Sequence, residues 1–479
     1  MTYLFSGNTS ITNEVEIKND SGNTLPIVVY HNSNVVATGN RFPVDSAGNV
    51  AVDGLSPDAF GRLRVSEPFT LGDYKHLFSI DPNFIDKKVY GGNVSYTPNK
   101  ACATLTTNAS PSSYVTHQTK FYHHYQPGKS QLIFSSINFG HAQQNVTKRT
   151  GYFDDRDGIY FEQVGGSTSN GTNEGNLSFV IRSYTNGYAN EATENGYKRR
   201  VPQSEWNVDK CDGTGPSGLN LDMSKTQLVF IDFQWLGVGR VRTGFVHNGE
   251  VVVANEFYHS NVLANVYLSN PNLPVRCEIF NTGATAGGSM DQICSTVMSE
   301  GGYIESGIDF ANVMSTARTT ASPGGTELPV IAFRLKNTFV GFPNRISVRF
   351  NNLSLYCTTN SIAYKIVKLP NQGFIGNASG LGTCTWVSAA DSSGVEICTD
   401  ATQYFDGDIF AGGYVPSGSS QNSLSPVATG SISSAKKNIL VQNFDSSNSE
   451  IYAVVVKTLV TAPGQTADVA AAIQWREIY

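Results

Sequence analysis

Alternation of apolar and polar positions is the dominant pattern along this chain. It is clearest in "TQLVFIDFQWLGVGRVRTGFVHNGEVVVANEFYH", residues 226–259. Asn248-Gly249 fits a type I′ turn between a strand in "RVRTGFVH" and one in "EVVVANEFYH". The strand before them carries Val229, Ile231 and Phe233 on one side. It is nearly all apolar, as a strand central to a sheet should be. "NLSFVIRSYTNG" places Leu177, Phe179 and Ile181 on one face and then turns at Asn186-Gly187. "KSQLIFSSINFG" and "GSMDQICSTVMSEGG" read as further strands. Consecutive strands of this kind, followed by "LPVRCEIFNTG", predict a two-sheet sandwich.

The same punctuation continues downstream. "PVIAFRLKNTFVGFPNRISVRFNNLSLYCTTNSIAYKIVKLP", "KNILVQNFDSSNSEIYAVVVKTLV" and the final "ADVAAAIQWREIY" supply a second set of strands, the last tied into a sheet. Residues 1–57 differ. Their apolar runs are four to six residues long and are cut by Ser-Gly, Asn-Ser and Gly-Asn, which suits an extended arm that pairs with another chain or domain. The reading is all-β. It has an N-terminal docking arm (1–57), a first β-sandwich of lectin-like or jelly-roll-like type (58–305) and a second β-rich domain (306–479). No repeat of fixed period occurs, which argues against solenoids and propellers.

Composition supports this picture. Charged residues are only 15% of the 479, while 46 glycines, 22 tyrosines and 26 phenylalanines serve turns and cores. With 33 basic and 39 acidic residues the formal charge is -6, so no global attraction to nucleic acid or an anionic membrane is expected. The opening residues lack the pattern of a signal peptide, and no apolar stretch is long enough for a membrane-spanning helix. Seven cysteines without a C-x-x-C pair read as reduced thiols of a cytoplasm.

Catalytic and cofactor motifs fail one by one. "QPGKS" at 126–130 has His123 where a phosphate-binding loop needs glycine, and it leads into a strand rather than a helix. "FDDRDGIYFE" cannot be an EF-hand, because aligning Asp155 and Asp157 puts Phe153 first and Val164 last. It reads as a solvated turn before "GIYFEQV". His123 and His124 are adjacent in a strand-like run and point to opposite faces, one buried and one exposed. Lys198–Arg200 reads as an exposed loop. Asp232 and Glu256 on strands and Asp209 and Asp212 in a loop are available carboxylates, but sequence does not show whether any two converge as a glycosidase pair must. No cofactor, no metal site and no enzymatic activity are expected.

One passage, "DAFGRLRVSEPFTLGDYKHLF" (58–78), has its own character. Arg62 and Arg64 alternate with Leu63 and Val65, which suits a strand whose guanidinium groups pair with carboxylates across an interface. Together with Phe60 and Phe69 they form a candidate assembly surface. The blocks "AFGRLRVSEPFTLGDYKH", "YQPGKSQL", "GYFDDRDGIYFE", "WNVDKCDGTGPSGLNLDMSKTQLVFIDFQWLGVGRVRTGFV", "LPVRCEIFNTG" and "SEGGY", with the closing "IQWREIY", resemble a family of tailed-bacteriophage virion proteins typical of marine and cyanobacterial phages. They cover most of residues 58–303, while the arm and the residues after about 310 match less distinctly.

The resemblance implies a non-enzymatic virion component, assembled in the host cytoplasm and placed in the tail as baseplate, fibre or fibre adaptor. It implies other virion proteins as partners and a homo-oligomer, with a trimer favoured. A capsid decoration or head fibre is the nearest alternative. A module for host surface glycans, using Tyr184, Tyr188 and Trp206 as stacking platforms, or a polysaccharide depolymerase, is the other.

Overall fold

The computed structural model describes residues 17–18, 24–25 and 67–479, the last apart from 168, 170, 305, 321–325, 370–383, 405–406, 418–419, 425–438, 441, 443–449 and 461. The chain divides into a unit of residues 1–66 and a compact unit of residues 67–479. In the first unit a short antiparallel ladder pairs Ile17–Lys18 with Thr24–Leu25. Phe60, Arg62 and Arg64 lie outside the described residues.

The second unit is all-β. Residues 69–300 build two facing sheets. The eight-stranded sheet runs, in spatial order, Asn93–Thr97, Cys102–Thr107, Gly288–Glu300, Ser130–Asn138, Gln227–Phe233, Val241–His247 and Glu250–Phe257, with Phe69–Lys75 also paired to Gly288–Glu300. The seven-stranded sheet runs Phe84–Val89, Tyr114–Thr119, Val275–Asn281, Val146–Phe153, Gly158–Val164, Asn176–Arg182 and Arg200–Pro202. All of these pairings are antiparallel.

The alternation anticipated from sequence fixes which faces meet. Val229, Ile231 and Phe233 from one sheet share a core with Tyr152, Ile159, Phe161 and Phe179 from the other. Asn248 and Gly249 close the hairpin at φ +52° and +85°, the left-handed pair that a type I′ turn requires, and Gly249 supplies it without strain.

Residues 308–478 build a second sandwich. The strand Asp468–Ile478 pairs with both Ile308–Val313 and Ser347–Cys357, so the chain end is held inside a sheet. The opposing sheet runs Val387–Ser388, Val395–Cys398, Leu328–Leu335, Ile451–Thr458, Ile362–Leu369 and Asp408–Val415. Trp475, Phe333, Val454 and Leu355 meet between the layers. The expectation that every cysteine is reduced is corrected here. The ladder that sets Val387 opposite Ile397 also brings Cys384 to Cys398, with Cα atoms 6.1 Å apart, and they form a disulfide.

The two sandwiches touch through a few side chains. Arg345 lies over the Tyr122 ring at 4.8 Å, and Lys120 pairs with Glu450 at 3.5 Å. His124 ends up beside the backbone of Tyr479. Both of its ring nitrogens are shut off from water, which corrects the expectation that one of the two adjacent histidines is exposed. The second sandwich supplies this cover, from residues far from His124 in sequence.

Candidate functional site

The outer face of the seven-stranded sheet carries the most unusual chemistry. Alternation puts Val146 and Tyr152 inward on one strand, so Arg149, Gly151 and Phe153 point outward. On the neighbours Tyr160 and Glu162, and Arg276 and Glu278, share that side. The register then aligns Glu278, Arg149 and Glu162 in one row across three strands. Arg149 donates to Glu162 Oε2 at 2.7 Å through Nε and reaches Glu278 Oε2 at 3.5 Å through Nη1. Arg276 holds Glu278 at 3.1 Å and Asp155 at 2.7 Å. Arg182 and Arg200 each bind Glu191 at 2.7 Å, and Arg200 also pairs with Glu162.

The centre of the network is dry, with the Glu162 side chain only 1% exposed, while Asp155 at its edge is 70% exposed. Burial lifts the Glu191 and Asp155 carboxyls toward protonation, but the arginines outweigh it. Arg182 and Arg149 hold Glu191 below its ordinary value, and Arg276 does the same for Asp155. Gly151 makes room in the next row. A Cβ there would stand 2.6 Å from the Tyr160 Cα and 2.4 Å from the Ile159 carbonyl oxygen. The Arg149 guanidinium instead lies over the rings of Tyr160 and Phe280, at 5.0 and 4.9 Å.

Beside this network, where the first sandwich meets the second, a cleft of about 650 Å³ opens. Asp154, Arg156 and Asp157 line it, with Tyr184, Phe342 and Arg345. Asp154 Oδ1 accepts the N–H groups of Arg156 and Asp157 and turns the chain tightly. The turn projects Arg156 between Tyr184 and Phe342, its guanidinium carbon 4.8 and 5.6 Å from the two ring centroids. Asp157 is buried, so the solvated-turn reading is corrected for this residue. Its Oδ1 accepts N–H groups from Tyr184 (3.1 Å) and Ser269 (2.8 Å), and its Oδ2 accepts the Ser269 hydroxyl. These bonds explain why the interior accepts it. Burial still pushes its carboxyl above the ordinary value, against the opposing pull of Ser269 and Tyr184.

The sequence-predicted residues fare differently. Tyr184 lines the cleft, and Tyr188, 60% exposed, stands on the adjoining turn. Trp206 is a correction. At 3% exposed it belongs to the core, against Phe179 and Phe245, with its indole N–H donated to the Val201 carbonyl at 3.1 Å. The 3-10 turn after Arg200–Pro202 folds the ring inward, leaving no face for a ligand. Phe69 opens the strand Phe69–Lys75 and stacks on Tyr303 at 5.5 Å.

Lys198 is exposed and paired with Glu205, but Arg199 is buried and Arg200 joins the network, so this run is not an exposed loop. Asp232 and Glu256 flank Arg242 in the register rather than facing each other. Asp209 caps its own loop through the N–H groups of Cys211 and Ser217. Arg149, Glu162, Arg276, Glu278, Phe342 and Arg345 were not singled out from sequence. The only signal for the first four is charge placed at alternate positions of otherwise apolar strands.

No protein-family model and no curated protein matches the chain. Among solved structures it is similar to the CBM2 module of the evolved Dit protein of Lactobacillus casei phage J-1, with 10% identity, a TM-score of 0.34 and coverage of 50% of this chain and 100% of that one. A legume lectin-like domain from Entamoeba histolytica matches at 9% identity and TM-score 0.28, covering 48% and 97%. A glycosyl hydrolase family 16 protein from Mycobacterium smegmatis matches at 9% and 0.30, covering 49% and 100%.

Proposed function

We propose that this protein is a non-catalytic, glycan-binding component of a bacteriophage virion, carried in the tail as a homotrimer and docked to other virion proteins through residues 1–57. The observation that carries the binding part is the placement of Arg156 in the cleft. Its guanidinium makes two ring contacts and no ion pair among the described residues, so its donors stay available to a ligand. A sugar needs apolar walls for its C–H faces and fixed donors and acceptors for its hydroxyls. Tyr184 and Phe342 supply the walls, and Arg156 with the surrounding main chain supplies the polar groups. The virion part rests on the resemblance of residues 58–303 to phage virion proteins.

A depolymerase is the second reading. In one cleft, Asp157 is raised and Asp155 lowered, the kind of split that separates a general acid from a base. The non-catalytic reading is favoured because both Asp157 oxygens are already hydrogen-bonded and Asp155 is bound to Arg276. Glu162 and Glu278 are likewise tied to Arg149.

Antibody-gold labelling of virions from the phage that encodes this chain tests the placement. Gold at the distal tail is expected. Gold over the head would transfer the protein to capsid decoration, and unlabelled particles would remove it from the virion. Release of reducing ends from host polysaccharide would favour the depolymerase.

A further inference from the structure

Away from the cleft, three loops at the rim of the first sandwich bring together residues far apart in sequence. His141 follows the strand Ser130–Asn138, Glu174 precedes Asn176–Arg182, and Asp222 precedes Gln227–Phe233. One ligand atom from each lies within 4.8 Å of the other two. His141 Nδ1 is 3.2 Å from Glu174 Oε1, an ion-pair distance when the ring is protonated; the atom itself is buried and makes no aligned hydrogen bond. Two ligands sharing a tetrahedral ion show that relation, since donor atoms at about 2.0–2.2 Å from zinc stand about 3.3–3.6 Å apart.

The carboxylates are also oriented from behind. Glu174 Oε2 accepts the Met223 N–H at 2.8 Å, and Asp222 Oδ1 accepts the Ser224 N–H at 2.9 Å. Each acid thus has one oxygen engaged, which leaves the other for a shared ligand. The loops are fixed as well. Lys148 donates to the His141 carbonyl at 3.2 Å, and Gln163 Nε2 donates to the carbonyls of Gly140 (3.0 Å) and Glu174 (3.1 Å). Burial pushes the Lys148 amine down to about 8, against the pull of Glu174.

We propose that His141, Glu174 and Asp222 bind one divalent transition-metal ion of the zinc class, clamping three loops of the first sandwich. One imidazole and two carboxylates form a mixed nitrogen and oxygen set suited to such an ion, with water completing the coordination. Calcium, which takes six to eight oxygen ligands, finds too few here. The hydrogen bonds to the second oxygens of both acids orient those ligands, and the main-chain bonds fix the loop that carries His141. An ion that binds only the folded chain adds to its stability by mass action.

The test is calorimetric titration of zinc chloride into the full chain after dialysis against a chelator. One equivalent per chain is expected, with affinity lowered at least about tenfold in His141→Ala. His247→Ala, at an exposed histidine beside Asn248, should bind as the unmodified chain does. Asp222→Asn keeps the oxygen that caps Ser224, so it is the second variant if His141→Ala does not fold. Cobalt in place of zinc gives an independent readout, a visible absorption band that changes in either variant. No stoichiometric zinc binding, or equal binding by variants and unmodified chain, would overturn the proposal.

Discussion

Arg345 of the second sandwich lies 4.8 Å over the ring of Tyr122 in the first, at the edge of the cleft. Tyr122 is buried and its hydroxyl is held protonated well above the ordinary range by burial, so the ring offers Arg345 a neutral π-face. A cation–π contact of this type contributes about 0.5–2 kcal/mol. Arg345→Ala is therefore expected to raise amide hydrogen exchange in the 338–345 segment and leave the core strand Gly158–Val164 unchanged. Equal exchange in both forms would show that the contact does not hold the sandwiches together.

The row Glu278–Arg149–Glu162 makes a sharper demand. Removing Arg149 withdraws the cation that two buried carboxylates share, although Glu162 keeps Arg200 and Glu278 keeps Arg276, so the cost should stay below the about 3–5 kcal/mol of a buried charge left wholly unpaired. Arg149→Met should lower the urea midpoint by a corresponding amount. The triple variant Arg149→Met, Glu162→Gln, Glu278→Gln should recover much of it, because the two carboxylate charges that Arg149 helped to balance are then gone, while Arg200 keeps Glu191 and Arg276 keeps Asp155. A loss in the triple variant as large as in the single one would contradict the network's role.

Acid should weaken the fold before the carboxylates titrate. His259 accepts the Tyr197 hydroxyl proton at Nε2 (2.7 Å), and Nδ1 faces the Gly239 carbonyl, an acceptor only, so Nδ1 carries the proton of a neutral ring. Burial lowers His259 and His124 to about 4. The unfolded chain protonates these groups near pH 6.5 and the folded one does not, so each contributes a stability that is full above pH 6.5 and falls as pH drops toward about 4. The slope is at most about 1.4 kcal/mol per pH unit per histidine. Urea melts at pH 7, 6, 5 and 4.5 should show the decline, and His259→Gln should make it shallower, leaving the part that His124 contributes. A pH-independent midpoint would exclude this origin.

Trp206 and Tyr188 separate packing from recognition. Trp206→Ala removes a core indole and should cost about 3–5 kcal/mol, read from the thermal or urea midpoint. Tyr188→Ala, at an exposed turn, should stay within about 0.5 kcal/mol of the unmodified chain.

Local chemistry made much of the fold legible. Period-two alternation identified the strand Gln227–Phe233 and its inward Val229, Ile231 and Phe233. Asn248-Gly249 identified the hairpin because only a left-handed pair closes it. What failed were exposures and the state of Cys384 and Cys398, because both depend on partners that only the fold brings together. Trp206 sits among polar residues in the chain but beneath Phe179 and Phe245 in space. Arg199 and Arg200 read as a basic loop until Glu194, Glu162 and Glu191 are brought beside them by the sheet. The cleft was legible only through Tyr184, since its other wall comes from Phe342 in the second sandwich.

The most direct test of the central claim is binding of the full chain to an array of bacterial surface polysaccharides, repeated with Arg156→Ala. Arg156 has no ion pair among the described residues, so the variant should fold, with a midpoint shifted by no more than the about 2 kcal/mol of its ring contacts. Saturable binding to at least one polysaccharide, lost in Arg156→Ala, is the predicted result. Absence of binding across the array, or binding that survives the substitution unchanged, would contradict the assignment of this cleft to glycans.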